Sequence, residues 1–206
     1  LEAKQYEPTK EEAEALNAEI TVRPESPVTE TVAEIRTSEN AVEIVFPERR
    51  DDFWEIVKRT LKMEWTGSYW RRVLVKTNGT PQDRAAEAGH RLLAAGFIVR
   101  IVDKEIREKA VAGQYEPECT RWVMLRTKGE YEGWLAICWE RPDDYYDAAK
   151  RIPGSRWSRP SVVVPAEQFE AVLDFAEMYG FKISKGAQKA IETARAAKEK
   201  SLIVKV

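Results

Sequence analysis

The side chains able to do chemistry are few in this chain. His90 is the single histidine among 206 residues, so neither a histidine-based metal cluster nor a paired proton relay can be assembled. Its place in mid-helix fits a solvated or half-buried structural side chain. Cys119 and Cys138 are too few and too widely spaced for a zinc site or a disulfide framework, and a reducing cytoplasm is the expected setting. There is no glycine-rich phosphate loop, no dinucleotide fingerprint and no Gly-x-Ser-x-Gly nucleophile turn. The pairs Asp51-Asp52 and Asp143-Asp144 could act as metal carboxylates or as an acid and a base. Adjacent aspartates at a helix start are, however, explained by capping, and no hydroxyl, amide or histidine partner stands beside them. No catalytic residue, metal ligand or cofactor is therefore expected, and an enzyme acting alone is not.

What remains is basic and aromatic. Lys58, Arg59, Arg71 and Arg72 cluster with Tyr69 and Trp70, and Arg141, Lys150, Arg151, Arg156 and Arg159 cluster with Trp157. Arginines neutralise phosphates, and aromatic faces stack on unpaired bases at about 1–3 kcal/mol per base. A plainer account competes: Lys-Arg at a helix end complements the helix dipole, and Trp65 and Trp157 are expected in the core between helix and sheet. A protein-docking module without nucleic-acid contact stays open as the alternative.

The elements that position these residues follow from an internal repeat. At an offset of 92, Glu48–Trp65 lies over Glu140–Trp157 with seven of eighteen residues identical, and the aromatic pair after the two aspartates is aromatic in both. Upstream, Ile35-Arg36-Thr37 lies over Leu125-Arg126-Thr127. Downstream, Ala95-Gly96-Phe97 lies over Tyr179-Gly180-Phe181 after the first copy's extra residues near 77–83. Each copy reads as a β-hairpin, a helix starting at Asp51 or Asp143, a tryptophan turn, and a β-branched strand. A second helix follows, opened near Pro81 or Pro165 and stopped by Gly96 or Gly180, and then a last strand. The fold class expected is α+β: two tandem ββα-ββ-αβ units, helices packed on one face of a mainly antiparallel sheet. Further helices are expected near 104–112, spanning the two domains, and near 186–200.

Residues 1–29 are expected to be an acidic, mobile lead, with Thr9 and Glu12 capping one short helix. Repeat one is set at 30–112, a linker at 113–119, repeat two at 120–200 and a tail at 201–206. The net charge of −2 hides an asymmetry. Residues 1–48 carry four basic and twelve acidic residues, leaving about +6 on residues 49–206. No apolar run reaches the length of a membrane span. The missing initiator Met and the apolar, strand-like run Ser201–Val206 lead us to expect a piece of a longer chain.

The stretch Tyr145–Trp157, containing Lys150-Arg151-Ile152-Pro153-Gly154-Ser155-Arg156-Trp157, then Val162-Val163-Val164-Pro165 and the helix closing on Gly180-Phe181, resembles the HARP domain. That domain accompanies the motor in annealing helicases and is similar to N-terminal modules of phage and bacterial Swi/Snf-type helicases. The second copy matches over about residues 130–184. The first is diverged, with Thr60-Leu61-Lys62 in place of Ile152-Pro153-Gly154 and Val73 in place of the strand-ending proline. The resemblance implies a DNA-binding accessory domain for forked or single-strand/duplex junction DNA. A helicase motor would then lie outside this chain, in cis or in trans.

Overall fold

The computed structural model describes residues 9–203, which form two compact units divided between Glu118 and Cys119. The first contains α1 (Lys10–Glu19), β1 (Thr21–Val22), β2 (Val32–Thr37), β3 (Ala41–Val45), α2 (Asp51–Trp54), β4 (Glu64–Trp65), β5 (Trp70–Val73), α3 (Pro81–Ala94), β6 (Ile98–Ile101) and α4 (Lys104–Ala112). Helix α2 runs directly into a wider π-helical stretch, Glu55–Thr60. The second contains β7 (Trp122–Leu125), β8 (Leu135–Cys138), α5 (Tyr146–Lys150), β9 (Arg156–Ser158), β10 (Ser161–Val164), α6 (Phe169–Tyr179), β11 (Lys182–Ile183) and α7 (Lys185–Ile203). The fold is thus mixed α+β with two mainly antiparallel sheets.

The sheet of the first unit runs β1-β6-β2-β3-β5-β4 and that of the second β11-β7-β8-β10-β9. With β1 set aside, both follow one order, and each has one parallel pair, β2 with β6 and β7 with β11, the rest being antiparallel. The parallel pair arises because the last strand returns through a helix rather than a tight turn.

Each core joins the start of one helix, α2 or α5, to the residue before the last strand, β6 or β11, through aromatic rings. Phe53 stacks on Phe46 at 4.0 Å and meets Phe97 edge-on at 5.3 Å. Tyr145 meets Phe181 edge-on at 5.1 Å, with Phe175 and Tyr179 completing the cluster. Such pairs add about 0.5–1.5 kcal/mol to the burial itself. Gly96, at φ +87°, lets the lead close over this end: a Cβ there would stand 2.9 Å from Val28 Cγ1, and the Val28 N–H donates to the Gly96 carbonyl.

Several expectations are corrected. The described part of the lead is built into the fold: Thr21–Val22 pairs with β6, and the Thr29 hydroxyl donates to Glu48. The Glu12 side chain and residues 1–8 lie outside the described residues. Helix α4 does not span the units. It packs on α3, where Gly89 meets Ala110 and His90 Nδ1 lies 3.0 Å from the Ala110 carbonyl. Residues 201–203 continue α7 instead of forming a strand, and 204–206 lie outside the described residues.

The segment expected as a linker is latched to the first unit. The Arg72 guanidinium donates to Glu118 at 2.6 Å, with Asn78 donating to the same oxygen at 2.7 Å, and both partners of the pair are almost buried. Arg84, buried, is paired with Glu87 and donates to the Glu116 carbonyl. Tyr115 packs against the core. Burial pushes the Glu118 carboxyl up, but Arg72, Asn78 and the charge of Lys62 outweigh it and hold it below the ordinary carboxylate value. A depressed pKa stabilises the fold above the unfolded value of about 4.3, and that stabilisation fades as pH falls through the folded value. Glu118→Ala leaves Arg72 charged and unpaired, and should lower the stability of the first unit by about 3 kcal/mol in urea unfolding at pH 7. The gap between wild type and variant should narrow as the pH is lowered from 5 towards 3. A pH-independent gap would remove the ion pair from the explanation.

Candidate nucleic-acid interface

Successive residues of a helix point about 100° apart, so burying Phe53 turns its neighbour Trp54 outward. Trp54 is 40% exposed. Next to it is the edge strand β4, where Trp65 sits opposite Trp70 in register with the rings 5.5 Å apart. Trp65 is 51% exposed. Trp54, Trp65 and Trp70, floored by Phe46 and Phe53 and rimmed by Pro47 and Glu48–Asp51, line a half-open groove of about 690 Å³.

The second unit repeats the outward aromatic pair. Tyr145 packs against the core, while Tyr146 is 39% exposed and meets Trp157 edge-on at 5.4 Å. Trp157 is 46% exposed, with Trp139 6.4 Å away. Trp65 and Trp157 are therefore not the core residues expected. They sit on β4 and β9, the outermost strands of their sheets, where neighbours cover only one side.

Two of the four aspartates, Asp52 and Asp143, are held in ion pairs. The residues preceding α2 and α5, Arg50 and Tyr145, make no side-chain cap. Arg50 grips Asp52 through two hydrogen bonds, at 3.0 and 2.8 Å, and reaches Glu48 at 3.3 Å. The Arg50 bond holds the Asp52 carboxyl below its usual range, and the Thr29 hydroxyl does the same for Glu48, helped by Thr31 and Arg50. Asp143 pairs with Arg121 at 2.9 Å, and that guanidinium lies over the Tyr145 ring at 5.0 Å. Asp144, accepting from the Tyr146 N–H at 3.0 Å, and Asp52, accepting from the Phe53 N–H at 2.8 Å, also serve as helix-start acceptors.

The expected basic residues divide. Lys58 and Arg59 are exposed on the π-helical stretch, Arg59 over the Trp54 ring at 5.6 Å and 3.3 Å from Glu55. Trp70 lines the groove. Arg71 and Arg72 are taken by the fold. Alternation along β5 places Arg71 in a cross-strand row, Arg36, Glu43, Arg71, Glu64, of alternating sign, with Glu43 at 3.3 Å. Arg72 faces the other way and holds Glu118 and the Leu61 carbonyl. In the second unit, Arg141, Arg151 and Arg159 are exposed and make no ion pair among the described residues. Arg156 is exposed and donates to the Ser155 carbonyl at 3.1 Å. Lys150 is half-buried and closes the turn by donating to the same carbonyl at 3.0 Å, so it is a structural residue.

Sequence reasoning missed Trp54, Tyr146 and Arg49, the last exposed on the groove rim and without an ion pair among the described residues. The signal was present in the aromatic pair repeated after the aspartates, whose second member faces out. Among the described residues, no group of three or more His, Cys, Asp or Glu could hold a metal ion, and no helix is long and apolar enough to cross a membrane. Burial pushes the Cys138 thiol up, away from the reactive thiolate form. No protein-family model, curated protein or solved structure matches the chain.

Exposed tryptophans contribute little to folding. Trp65→Ala and Trp157→Ala should each cost no more than about 1 kcal/mol in urea unfolding, against about 3–5 kcal/mol for a core tryptophan. A loss of 3 kcal/mol at either position would return that ring to the core.

Proposed function

We propose that this chain is a non-catalytic nucleic-acid-binding module that engages unpaired bases, as in single-stranded or forked junction DNA. The observation that carries the reading is the outward aromatic pair at one place in the topology of both units, Trp54 with Trp65 and Tyr146 with Trp157. Stacking on such rings tolerates any base, since every base has a π-face. Exposed cations lie within five residues, along the chain, of a member of each pair: Arg49, Lys58 and Arg59 in the first unit, Arg141, Arg151, Arg156 and Arg159 in the second. These supply the phosphate contacts that Arg71, Arg72 and Lys150 do not. The +6 carried by residues 49–206 favours the same partner.

The common strand order, together with the repeated sequence, supports descent of the two units from one. The resemblance of the second to the HARP domain favours a helicase motor as the partner, in the same polypeptide or in another. The competing role, docking of a protein segment, differs in its salt response and its ligand.

Fluorescence anisotropy with a labelled twelve-nucleotide single strand and a forked duplex tests the reading. Four phosphate contacts predict a loss of about fiftyfold in affinity for single strand between 50 and 200 mM salt. Trp54→Ala and Trp157→Ala should each weaken binding about tenfold, corresponding to one stacked base. Absence of binding to either DNA at ~50 mM salt overturns the proposal and leaves protein docking.

A further inference from the structure

The groove of the first unit has polar chemistry beyond stacking. Four charged residues rim it: Glu48, Arg49, Arg50 and Asp51. Two are already committed. Arg50 is spent on Asp52 and Glu48, and Glu48 also accepts from the Thr29 hydroxyl at 2.6 Å. That leaves Asp51, an exposed carboxylate, and Arg49, an exposed guanidinium, neither paired among the described residues. Trp54, Trp65 and Trp70 line the same groove. The volume of about 690 Å³ falls in the range of small-molecule sites, about 300–1,000 Å³.

The second unit provides an internal comparison. At the position of Asp51 stands Asp143, whose carboxylate is held by Arg121. At the position of Pro47 stands Trp139, whose ring lies against Tyr145 and Trp157. The second unit therefore keeps the stacking surface, but its carboxylate is committed and a tryptophan stands where the first unit has a proline.

We propose that the groove of the first unit reads one unpaired base, and that the base is guanine; this rests on the nucleic-acid reading above. The two acidic and two basic rim residues balance, which suits an uncharged ring. A cationic ligand is disfavoured, because Arg59 already occupies the cation position over Trp54. A free carboxylate accepts hydrogen bonds and donates none, so it selects a base edge made of donors. Guanine alone among the common bases presents two adjacent donors, N1–H and the 2-amino group, to the two oxygens of one carboxylate. Adenine and cytosine offer one amino group each, beside a ring nitrogen that repels the carboxylate. Asp51 takes the guanine edge, the tryptophans take its face and Arg49 takes the neighbouring phosphate.

The test uses the full chain and four single strands of twelve nucleotides: all thymine, and thymine with one central guanine, adenine or inosine, inosine lacking the 2-amino group. The guanine strand should bind about tenfold tighter than the thymine strand, with inosine intermediate and adenine near thymine. Asp51→Ala, an exposed substitution, should bring the guanine strand to within twofold of thymine and leave the thymine strand unchanged. Equal binding of all four strands overturns guanine reading while the nucleic-acid reading stands. A guanine preference that survives Asp51→Ala removes the preference from this groove and overturns the assignment. If none of the strands binds, both readings fall together.

Discussion

The contact on which the arrangement depends is the edge-to-face meeting of the start of α2 or α5 with the residue before the last strand: Phe53 with Phe97, and Tyr145 with Phe181. One ring in each pair comes from a helix start and the other from the residue after a left-handed glycine. Burying that helix residue fixes the rotation of the helix. Because the next residue points about 100° away, Trp54 and Tyr146 are forced to the outside, beside the tryptophan of the edge strand. The exposed aromatic surface is thus a geometric consequence of the core, and shifting the helix by one residue would exchange the two.

Charge is divided by the same geometry. On β5, Arg71 and Arg72 are neighbours in sequence and lie on opposite faces of the sheet, one neutralised in a cross-strand row and the other latched to Glu118. In β10, counting from the residue paired with the edge tryptophan, the place of Arg72 is taken by Val164, which is buried in the core. The first unit has an ion pair where the second has an aliphatic side chain. An almost buried pair is tolerated only when its hydrogen bonds are made, and the segment up to Glu118 is held in place as part of meeting that demand.

Much of this was legible in the sequence. Period-two stretches, Pro81, Gly96 and Gly180 mark elements that lie within a few residues of where they were expected. Other features were hidden for identifiable reasons. Lys62 departs from the repeat in residue type, yet it takes the same left-handed backbone as Gly154, at φ 56° and 73°. A lysine gives no sign of that conformation, since the surrounding contacts impose it against the preference of an L-residue. The acidic lead looked unstructured by composition, but two of its residues complete a sheet by backbone hydrogen bonds, which composition does not report.

The sequence by itself determined the classes of element, the aromatic pair after the aspartates and the absence of nucleophile, phosphate-loop and histidine-cluster motifs. These are local or compositional properties, set by which residues neighbour one another along the chain. Only the tertiary structure decided which arginines are free, which tryptophans face out and which carboxylate is unpaired. Those depend on strand register and on partners far apart in sequence, such as Arg72 with Glu118 and Arg121 with Asp143, and neither is encoded in any short window of residues.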